Sequence, residues 1–133
     1  MKTDEVIVKK SFIQGKGIFA LRDFKMGEIV THWDTSKELS EEEFEKLSDE
    51  EREYVSFFQG KYVLMQEPER YQNHSCQANT TVKDFCDVAV RDIRKGEEIT
   101  GNYEEVLPGG MEMECSCKSR DCRKIIRPKK QLK

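Results

Sequence analysis

The sequence predicts a mostly β domain of short strands, with one helical insertion and a small tail module. Three observations support this: short runs rich in β-branched and aromatic residues, glycine-containing turns between them, and a single acidic segment with helical spacing. The length of 133 residues matches one domain. A chain of this size can bury a core, because about two-thirds of the unfolded surface is removed on folding.

The N-terminal part of the chain carries the first strands. VIVKK at 6–10 is typical of a short strand, and IFALRDF at 18–24 and GEIVTHW at 27–33 of two more around a turn at 25–27. QGKG at 14–17 predicts a further turn, because two glycines flanking one residue permit a positive φ and close backbone approach.

The acidic segment at 38–53 holds nine acids and two bases. Two capping-box patterns, each a serine followed three residues later by glutamate, begin at Ser40 and Ser48. We therefore predict one or two helices over 40–58, with a break near Ser48. Their apolar stripe consists of Phe44, Leu47, Tyr54, Val55 and Phe58. The segment is either a solvated helix face or a surface that attracts basic peptides.

The C-terminal half returns to strand character. The predicted elements are, in order, a strand at 61–67, an irregular polar stretch at 68–79, two strands within 80–93 with a turn near Lys83–Asp84, a turn at 94–98 and a last short strand at 99–103. PGG at 108–110 is the only clear linker. A basic, cysteine-rich tail with little apolar content follows it.

The composition limits the classes of function. The net charge of −3 neither demands nor excludes a basic partner. No run reaches the ~18 apolar residues of a membrane span, and the N-terminus lacks the apolar core of a secretion signal. We expect an intracellular protein with no membrane partner. Five cysteines, an odd number, argue against a disulfide framework and for metal binding or catalysis.

The tail predicts a zinc site. Cys115, Cys117 and Cys122 form C-x-C-x4-C in a segment with almost no core of its own, and thiolates suit zinc. A structural zinc takes four ligands, so one is missing. The candidates for it are Cys76, Cys86, His32 and His74. Strand alternation puts Cys86 on a face with two valines, which favours a buried thiol. Cys76 lies in a polar loop, and we choose it.

The loop YQNHSCQANT at 71–80 permits a second interpretation. His74 and Cys76 are two residues apart and could form a nucleophile pair. No oxyanion-hole pattern accompanies them, and a cysteine that binds zinc is not a free nucleophile. The residues alone leave the pair, a metal site and a plain loop open.

Four segments resemble, in the right order, those of SET-domain protein lysine methyltransferases. They are QGKGIFA at 14–20, RYQNHSCQAN at 70–79, VAVRDIRKGEEITGNY at 88–103 and CSCKSRDC at 115–122. The resemblance covers nearly the whole chain except 34–60, where the family carries a variable insertion. It implies a mostly β, β-clip-like SET fold. This fold consists of several small curved sheets with a helical insertion, a threaded, pseudoknot-like C-terminal segment and a small zinc-bound tail.

The resemblance also implies an arrangement and an activity. It places a SET domain at 1–107 and a post-SET zinc-binding tail at 108–133, a minimal SET plus post-SET pattern. The implied reaction is methyl transfer from S-adenosylmethionine to the side-chain amine of an accessible lysine in a protein or peptide, with a histone-like basic tail as one substrate. The implied location is the cytoplasm, or the nucleus and chromatin.

Residue by residue, the resemblance gives three groups. The implied cofactor-binding residues are Gly15, Lys16, Gly17, Arg70, Asn73 and His74. The implied catalytic residues are Tyr103 and, at the end of the insertion, Tyr54. The implied ligands of a structural Zn²⁺ are Cys76, Cys115, Cys117 and Cys122.

Two positions depart from the family pattern. Ala78 replaces a usual proline, which loosens a turn but removes no ligand. Gly101 stands where many members carry Phe or Tyr that limits methyl number, so we expect extra room there and leave the methyl count open.

Two other classes of function remain. One is an inactive SET-like scaffold that binds peptides or protein partners through its acidic insertion. The other is a small zinc-organised nucleic-acid binder that uses the basic tail. The negative total charge and the absence of a basic stripe with interleaved aromatics argue against the second, so no specific nucleic acid is expected.

Overall fold

The computed structural model describes residues 5–13, 15–109, 111–115 and 122–128. Within these ranges, short strands form four small sheets, which confirms the mostly β prediction. The strands are β1 Val6–Lys10, β2 Lys16–Ala20, β3 Ile29–His32, β4 Glu38–Leu39, β5 Val55–Phe58, β6 Lys61–Leu64, β7 Asn73–His74, β8 Thr80–Lys83, β9 Cys86–Ala89, β10 Glu98–Gly101, β11 Met113–Glu114 and β12 Ile125–Ile126.

The sheet that positions the site has the order β1-β2-β10-β7. β1 and β2 form an antiparallel hairpin, and β10 runs antiparallel to β2, with Ile99 opposite Ile18. β10 pairs in parallel with β7, where Gly101 lies opposite His74. The polar loop that contains β7 is therefore held beside the end of the last long strand, a placement that no local pattern in the sequence predicts.

The remaining sheets follow the chain more closely. β3, β9 and β8 form one antiparallel sheet, β4, β6 and β5 form a second, and β11 pairs with β12 in the tail. The tail therefore also contributes to the apolar core. Ile126 in β12 is fully buried although the segment is mostly basic. The composition of the tail alone does not predict this apolar contribution.

The acidic segment contains two short helices, α1 Glu41–Glu45 and α2 Asp49–Arg52. Both predicted capping boxes are present, and the helix break falls at the second serine, Ser48. The prediction of helix through residue 58 was wrong, because Val55–Phe58 is strand β5. Its aromatic and β-branched side chains pair with β6 across the sheet, and the mutually tilted rings of Phe57 and Tyr62 have centroids 4.8 Å apart. Packing outweighed helical spacing there.

Two groups of buried side chains form the core. The larger joins the first sheet to β3 and β9 through Ile18, Ala20, Phe24, Val30, Ala89, Ile93 and Ile99. The smaller contains Trp33, Val63 and Met65. Between the sheets, the buried amide of Asn79 accepts from Thr100 N–H at 2.9 Å and donates to Glu98 O at 2.8 Å. This second asparagine of the polar loop therefore anchors the loop to β10.

Among the described residues, no helix has the length and apolar character needed to cross a membrane.

Asp87 in β9 is a buried carboxyl group. The Thr31 hydroxyl donates to it at 2.6 Å. Burial raises the pKa of Asp87 from 3.8 to about 6, the charge of Glu105 adds to the rise, and the Thr31 hydrogen bond opposes it. Below both the unfolded and the folded pKa, the group is protonated in both states and carries no penalty. Stability should therefore fall as pH rises from about 4 to about 6.

We expect Asp87→Asn to remove this pH dependence, because the amide has no charge to bury. The free energy of unfolding of the wild type relative to the variant should drop by about 3 kcal/mol over this interval. Urea unfolding at pH 4, 5, 6 and 7 measures it, and any loss of metal in acid cancels in the comparison. Asp84→Asn, in an exposed turn, is the matched control. A difference that stays constant with pH would contradict the expectation.

Candidate active site

Two cavities meet at the end of β10. Cavity A lies beside Gly15, Lys16, Asn73, His74 and Cys115, and cavity B lies beside Asp87, Gly101 and Glu105. Six residues line both cavities: Glu53, Tyr54, Arg70, Gln72, Tyr103 and Met113. The two tyrosines expected to be catalytic therefore stand on the shared wall.

The first glycine turn forms one side of cavity A. Gly15 has a φ of +45°, a conformation that glycine adopts without strain, and with Lys16 it lines the cavity. Gly17 does not line it. At Gly17, in β2, there is no space for a side chain, because a Cβ there would overlap the carboxylate of Glu98. The Asn73 amide donates to Lys16 O at 2.9 Å and to Glu98 at 3.0 Å, which fixes the turn.

Arg70 lies between the cavities. Its guanidinium carbon is 4.1 Å from the centre of the Tyr54 ring, an arrangement that holds both side chains in place. Its buried Nε has no hydrogen-bond partner among the described residues. An unmatched buried donor of a charged group is costly, so this nitrogen suits an anionic ligand.

Tyr103 follows β10 and is held at both ends. Its hydroxyl donates to the carbonyl oxygen of Gln72, and its backbone N–H donates to His74 Nδ1 at 2.9 Å. Burial, and then the negative charges of Glu53 and Glu98, raise the pKa of Tyr103 well above its usual range. The phenol is therefore neutral and acts as a hydrogen-bonding group rather than a base.

Gly101 does not leave the room expected from the sequence. A Cβ at this position would lie 2.7 Å from Gln72 Oε1, so the Gln72 amide occupies that space. The amide is itself held by a 3.2 Å hydrogen bond from its Nε2 to the Thr80 hydroxyl. Cavity B is therefore bounded here by a polar amide in place of an aromatic ring.

A cluster of metal-binding groups lies next to cavity A. The ligand atoms of His74, Cys76 and Cys115 all lie within 4.8 Å of one another. The Cys76 and Cys115 sulfurs are 3.8 Å apart. Two thiolates on one tetrahedral zinc, each at ~2.3 Å from the metal, would lie about 3.8 Å apart, so these two fit zinc. Backbone N–H of Arg123 donates to Cys76 Sγ at 3.2 Å, a contact that favours a thiolate.

The other cysteines considered as zinc ligands are Cys86, Cys117 and Cys122. Cys122 is near the cluster, with its sulfur 3.8 Å from the carbonyl oxygen of Cys115. Cys117 lies outside the described residues. Cys86 is in β9, opposite His32 of β3, in a different sheet from the cluster.

His74 is buried at the edge of this cluster. Its Nε2 is 3.4 Å from Cys76 Sγ. Burial lowers the pKa of His74 to about 4, the positive charge of Arg123 adds to this, and Glu104 opposes it. The ring is therefore neutral at neutral pH.

Comparison with known families gives the relationship. A profile of the SET domain matches residues 15–104. The chain belongs to the SET-domain family. The matched range of this SET domain includes the glycine turn, which lines cavity A, and Gln72 and Tyr103, which line both cavities.

Two curated proteins resemble this SET domain in sequence. The variant-silencing SET domain-containing protein of Plasmodium falciparum is 31% identical over 137 residues, covering 86% of the chain. Histone-lysine N-methyltransferase trithorax of Drosophila virilis is 31% identical over 150 residues, covering 92%. The chain spans only 5% and 4% of their respective lengths.

Solved structures share the fold. A Plasmodium falciparum protein described as a candidate histone methyltransferase is similar over 77% of this chain and 95% of its own, with a TM-score of 0.58 and 21% identity. A humanized Chaetomium thermophilum Polycomb Repressive Complex 2, bound to the inhibitor GSK126, is similar over 81% of this chain and 16% of its own, with a TM-score of 0.68 and 25% identity.

Sequence reasoning missed several residues of this SET domain's site. Gln72 contacts Tyr103 through its backbone and Gly101 through its side chain, yet it occupies a variable place within the motif. The Glu98 carboxylate accepts hydrogen bonds from the Ser11 hydroxyl at 2.8 Å and from the Asn73 amide. Its position in the GEE turn was the signal available in the sequence. Met113 and Ile126 line cavity A from the tail, and the apolar residues of β11 and β12 were the available signal.

Proposed function

We propose that this SET domain transfers a methyl group from S-adenosylmethionine to the side-chain amine of a lysine in a protein. One observation carries the proposal: Tyr54 and Tyr103 line the wall common to both cavities. A methyl donor held in cavity A and an amine held in cavity B would meet at this wall. Alignment of the two partners at this wall can by itself supply a large share of the rate enhancement.

Cavity A suits the methyl donor. S-adenosylmethionine carries a carboxylate, and the buried Nε of Arg70 offers the matching donor. Lys16 and Gly15 supply the turn, while Asn73 and His74 form the adjoining wall. Gly17, which faces Glu98, would serve the pocket by letting β2 and the Asn73 side chain approach closely. S-adenosylmethionine supplies the methyl group as an electrophile.

Cavity B suits the lysine. The carboxylates of Asp87 and Glu105 line it and attract a cation. A lysine amine has a pKa of about 10.4 in water, and its desolvation in a narrow site lowers that value and favours the free amine. The neutral Tyr103 hydroxyl and the Tyr54 ring would orient the amine for attack in line with the methyl group. The proton leaves to solvent.

The tail would complete the site through zinc. We propose a SET domain at 1–107 and a zinc-binding tail at 108–133, with Cys76, Cys115, Cys117 and Cys122 as ligands. The ion would tie the tail to the polar loop, so that Met113 and Ile126 form part of cavity A. A bound structural zinc supplies this order without taking part in the methyl transfer.

The substrate class follows from charge and from the relatives. The acidic segment at 38–53 would attract a basic peptide, and the name of the trithorax relative specifies histone lysine. We therefore propose a histone-like basic tail as substrate, and a nuclear location. The Gln72 amide fills the space beside Gly101. Mass spectrometry of the products measures how many methyl groups are transferred.

Calorimetry with S-adenosylmethionine tests the proposal, followed by methylation of peptide arrays with labelled S-adenosylmethionine and mass spectrometry of the products. We expect one bound molecule per chain. Arg70→Met should weaken this affinity by about 10- to 100-fold, because a charge-assisted hydrogen bond is worth roughly 1.5–3 kcal/mol. Arg91→Met, at an exposed ion pair with Glu97, is the matched control. Wild-type protein that binds no S-adenosylmethionine would favour a scaffold that binds partners without catalysis.

A further inference from the structure

The His74 ring bridges two parts of the site. Its Nδ1 is 2.9 Å from the backbone nitrogen of Tyr103, and its Nε2 is 3.4 Å from the sulfur of Cys76. The two ring centroids of His74 and Tyr103 are 5.4 Å apart. The ring is buried, and the parallel pairing of β7 with β10 fixes its backbone, with Ser75 N–H donating to Gly101 O at 3.0 Å.

These contacts determine which ring nitrogen carries the proton. A backbone N–H only donates, so Nδ1 of His74 must accept from Tyr103 through its lone pair. A neutral imidazole with an acceptor at Nδ1 has its proton on Nε2. The contact between Nε2 and Cys76 is therefore an N–H donating to sulfur.

This proton placement excludes two other roles for His74. A histidine that binds zinc through Nε2 donates its other N–H to an acceptor, but here the partner of Nδ1 is itself a donor. Likewise, a base that activates a cysteine needs a free lone pair facing the thiol, and Nε2 is protonated. The metal-ligand and nucleophile-pair interpretations both fail on the same hydrogen bond.

We propose that His74 is a positioning residue that connects the metal-bound sulfur of Cys76 to the backbone of the catalytic Tyr103. The proposal rests on the proposed zinc site and methyl transfer. Zinc would fix Cys76, the Nε2–H bond would fix the imidazole, and Nδ1 would fix the start of the Tyr103 segment. The ordering of the tail is thereby transmitted to the tyrosine through one side chain. Partners of metal ligands commonly orient them in this way.

Nitrogen NMR of the full chain, loaded with zinc and ¹⁵N-labelled at histidine, reads the proton position directly. We expect the Nε2–H tautomer for His74. Replacing zinc by cadmium-113 adds a second readout: a donor to sulfur gives no coupling between the metal and the ring nitrogens. An Nδ1–H tautomer, or cadmium coupling to Nε2, would overturn the proposal. Both readouts use the native sequence and do not depend on a folded variant.

Two substitutions separate the two ends of the connection. In His74→Gln the terminal amide can replace Nε2 and donate to Cys76, but nothing accepts from Tyr103. In His74→Asn the shorter amide can accept from Tyr103, but it cannot reach Cys76. We expect His74→Asn to weaken zinc affinity by about 10- to 100-fold and His74→Gln to change it little. The order should reverse for single-turnover methyl transfer by zinc-saturated protein.

Equal losses of zinc affinity in both variants would contradict the proposal. Such losses are expected if the His74 ring only fills space and makes no directed hydrogen bond to Cys76. A loss of several orders of magnitude in both would indicate a metal ligand instead. Zinc affinity and tautomer are measured without S-adenosylmethionine or a peptide. If they come out as expected while the protein transfers no methyl group, the proposed function fails and the connection from zinc to His74 and Tyr103 stands.

Discussion

Tyr103→Phe is expected to lower the single-turnover rate of methyl transfer by about 10²–10³-fold, the cost typical of removing one preorganised hydrogen-bonding group. The substitution deletes only the hydroxyl, which contacts the Gln72 carbonyl on the wall between the cavities. The ring and its packing against His74 remain. The affinity for S-adenosylmethionine should therefore change much less than the rate.

Tyr62→Phe is the matched control for this experiment. Tyr62 lies in β6, stacked 4.6 Å from Phe44, away from both cavities. A melting curve of each variant accounts for stability, because the half-buried Gln72 carbonyl loses its partner in Tyr103→Phe, at a cost of about 1 kcal/mol. An unchanged rate in Tyr103→Phe would show that the hydroxyl is not catalytic.

Cys115→Ser is expected to abolish stoichiometric zinc binding and to weaken the affinity for S-adenosylmethionine by at least about tenfold. Cys115 provides a sulfur 3.8 Å from that of Cys76 and also lines cavity A. Zinc contributes about 10–16 kcal/mol to the folding of small zinc-dependent modules, so a lost ligand should release the β11–β12 ladder. Metal analysis after gel filtration and calorimetry on the same sample measure both effects.

Cys86→Ser is the matched control for the metal experiment, because Cys86 lies in β9 in another sheet. It should retain zinc, whereas Cys76→Ser should lose it. Retention in Cys76→Ser together with loss in Cys86→Ser would show that the fourth ligand was chosen wrongly. If zinc-free protein bound S-adenosylmethionine with unchanged affinity, the zinc-bound tail would not contribute to binding in cavity A.

The elements predictable from the sequence are those fixed by local chemistry. The capping boxes at Ser40 and Ser48 formed as expected, because a serine oxygen and a glutamate three residues later satisfy the free N–H groups of one turn. β5 was mispredicted because VSFF, with three apolar residues of four, is compatible with either helix or strand. The deciding contact is the hairpin with β6, which begins after only two intervening residues, Gln59 and Gly60.

In the candidate site, too, some features could be predicted from the sequence and others could not. The motif residues that line the cavities were predictable from family resemblance, among them Lys16, Asn73 and Tyr103. Contacts between strands that are far apart in the sequence were not. Gln72 fills the space beside Gly101, and Gly17 meets Glu98, because strands distant in sequence pack together. A pattern along the chain indicates which residues are chemically suited, whereas the space around each is set by the partner strand.

The pairing of β2 with β10 has a consequence for how the protein is made. Ile18 lies opposite Ile99, so the sheet that carries the site joins segments about 80 residues apart. At the ribosome, where chains grow at roughly 5–20 residues per second, the N-terminal hairpin waits several seconds for this neighbour. During that interval one edge of β2 is unpaired, and contacts of such long range also slow folding itself. Chaperone binding to the nascent hairpin would protect the stage at which this fold is most exposed to aggregation.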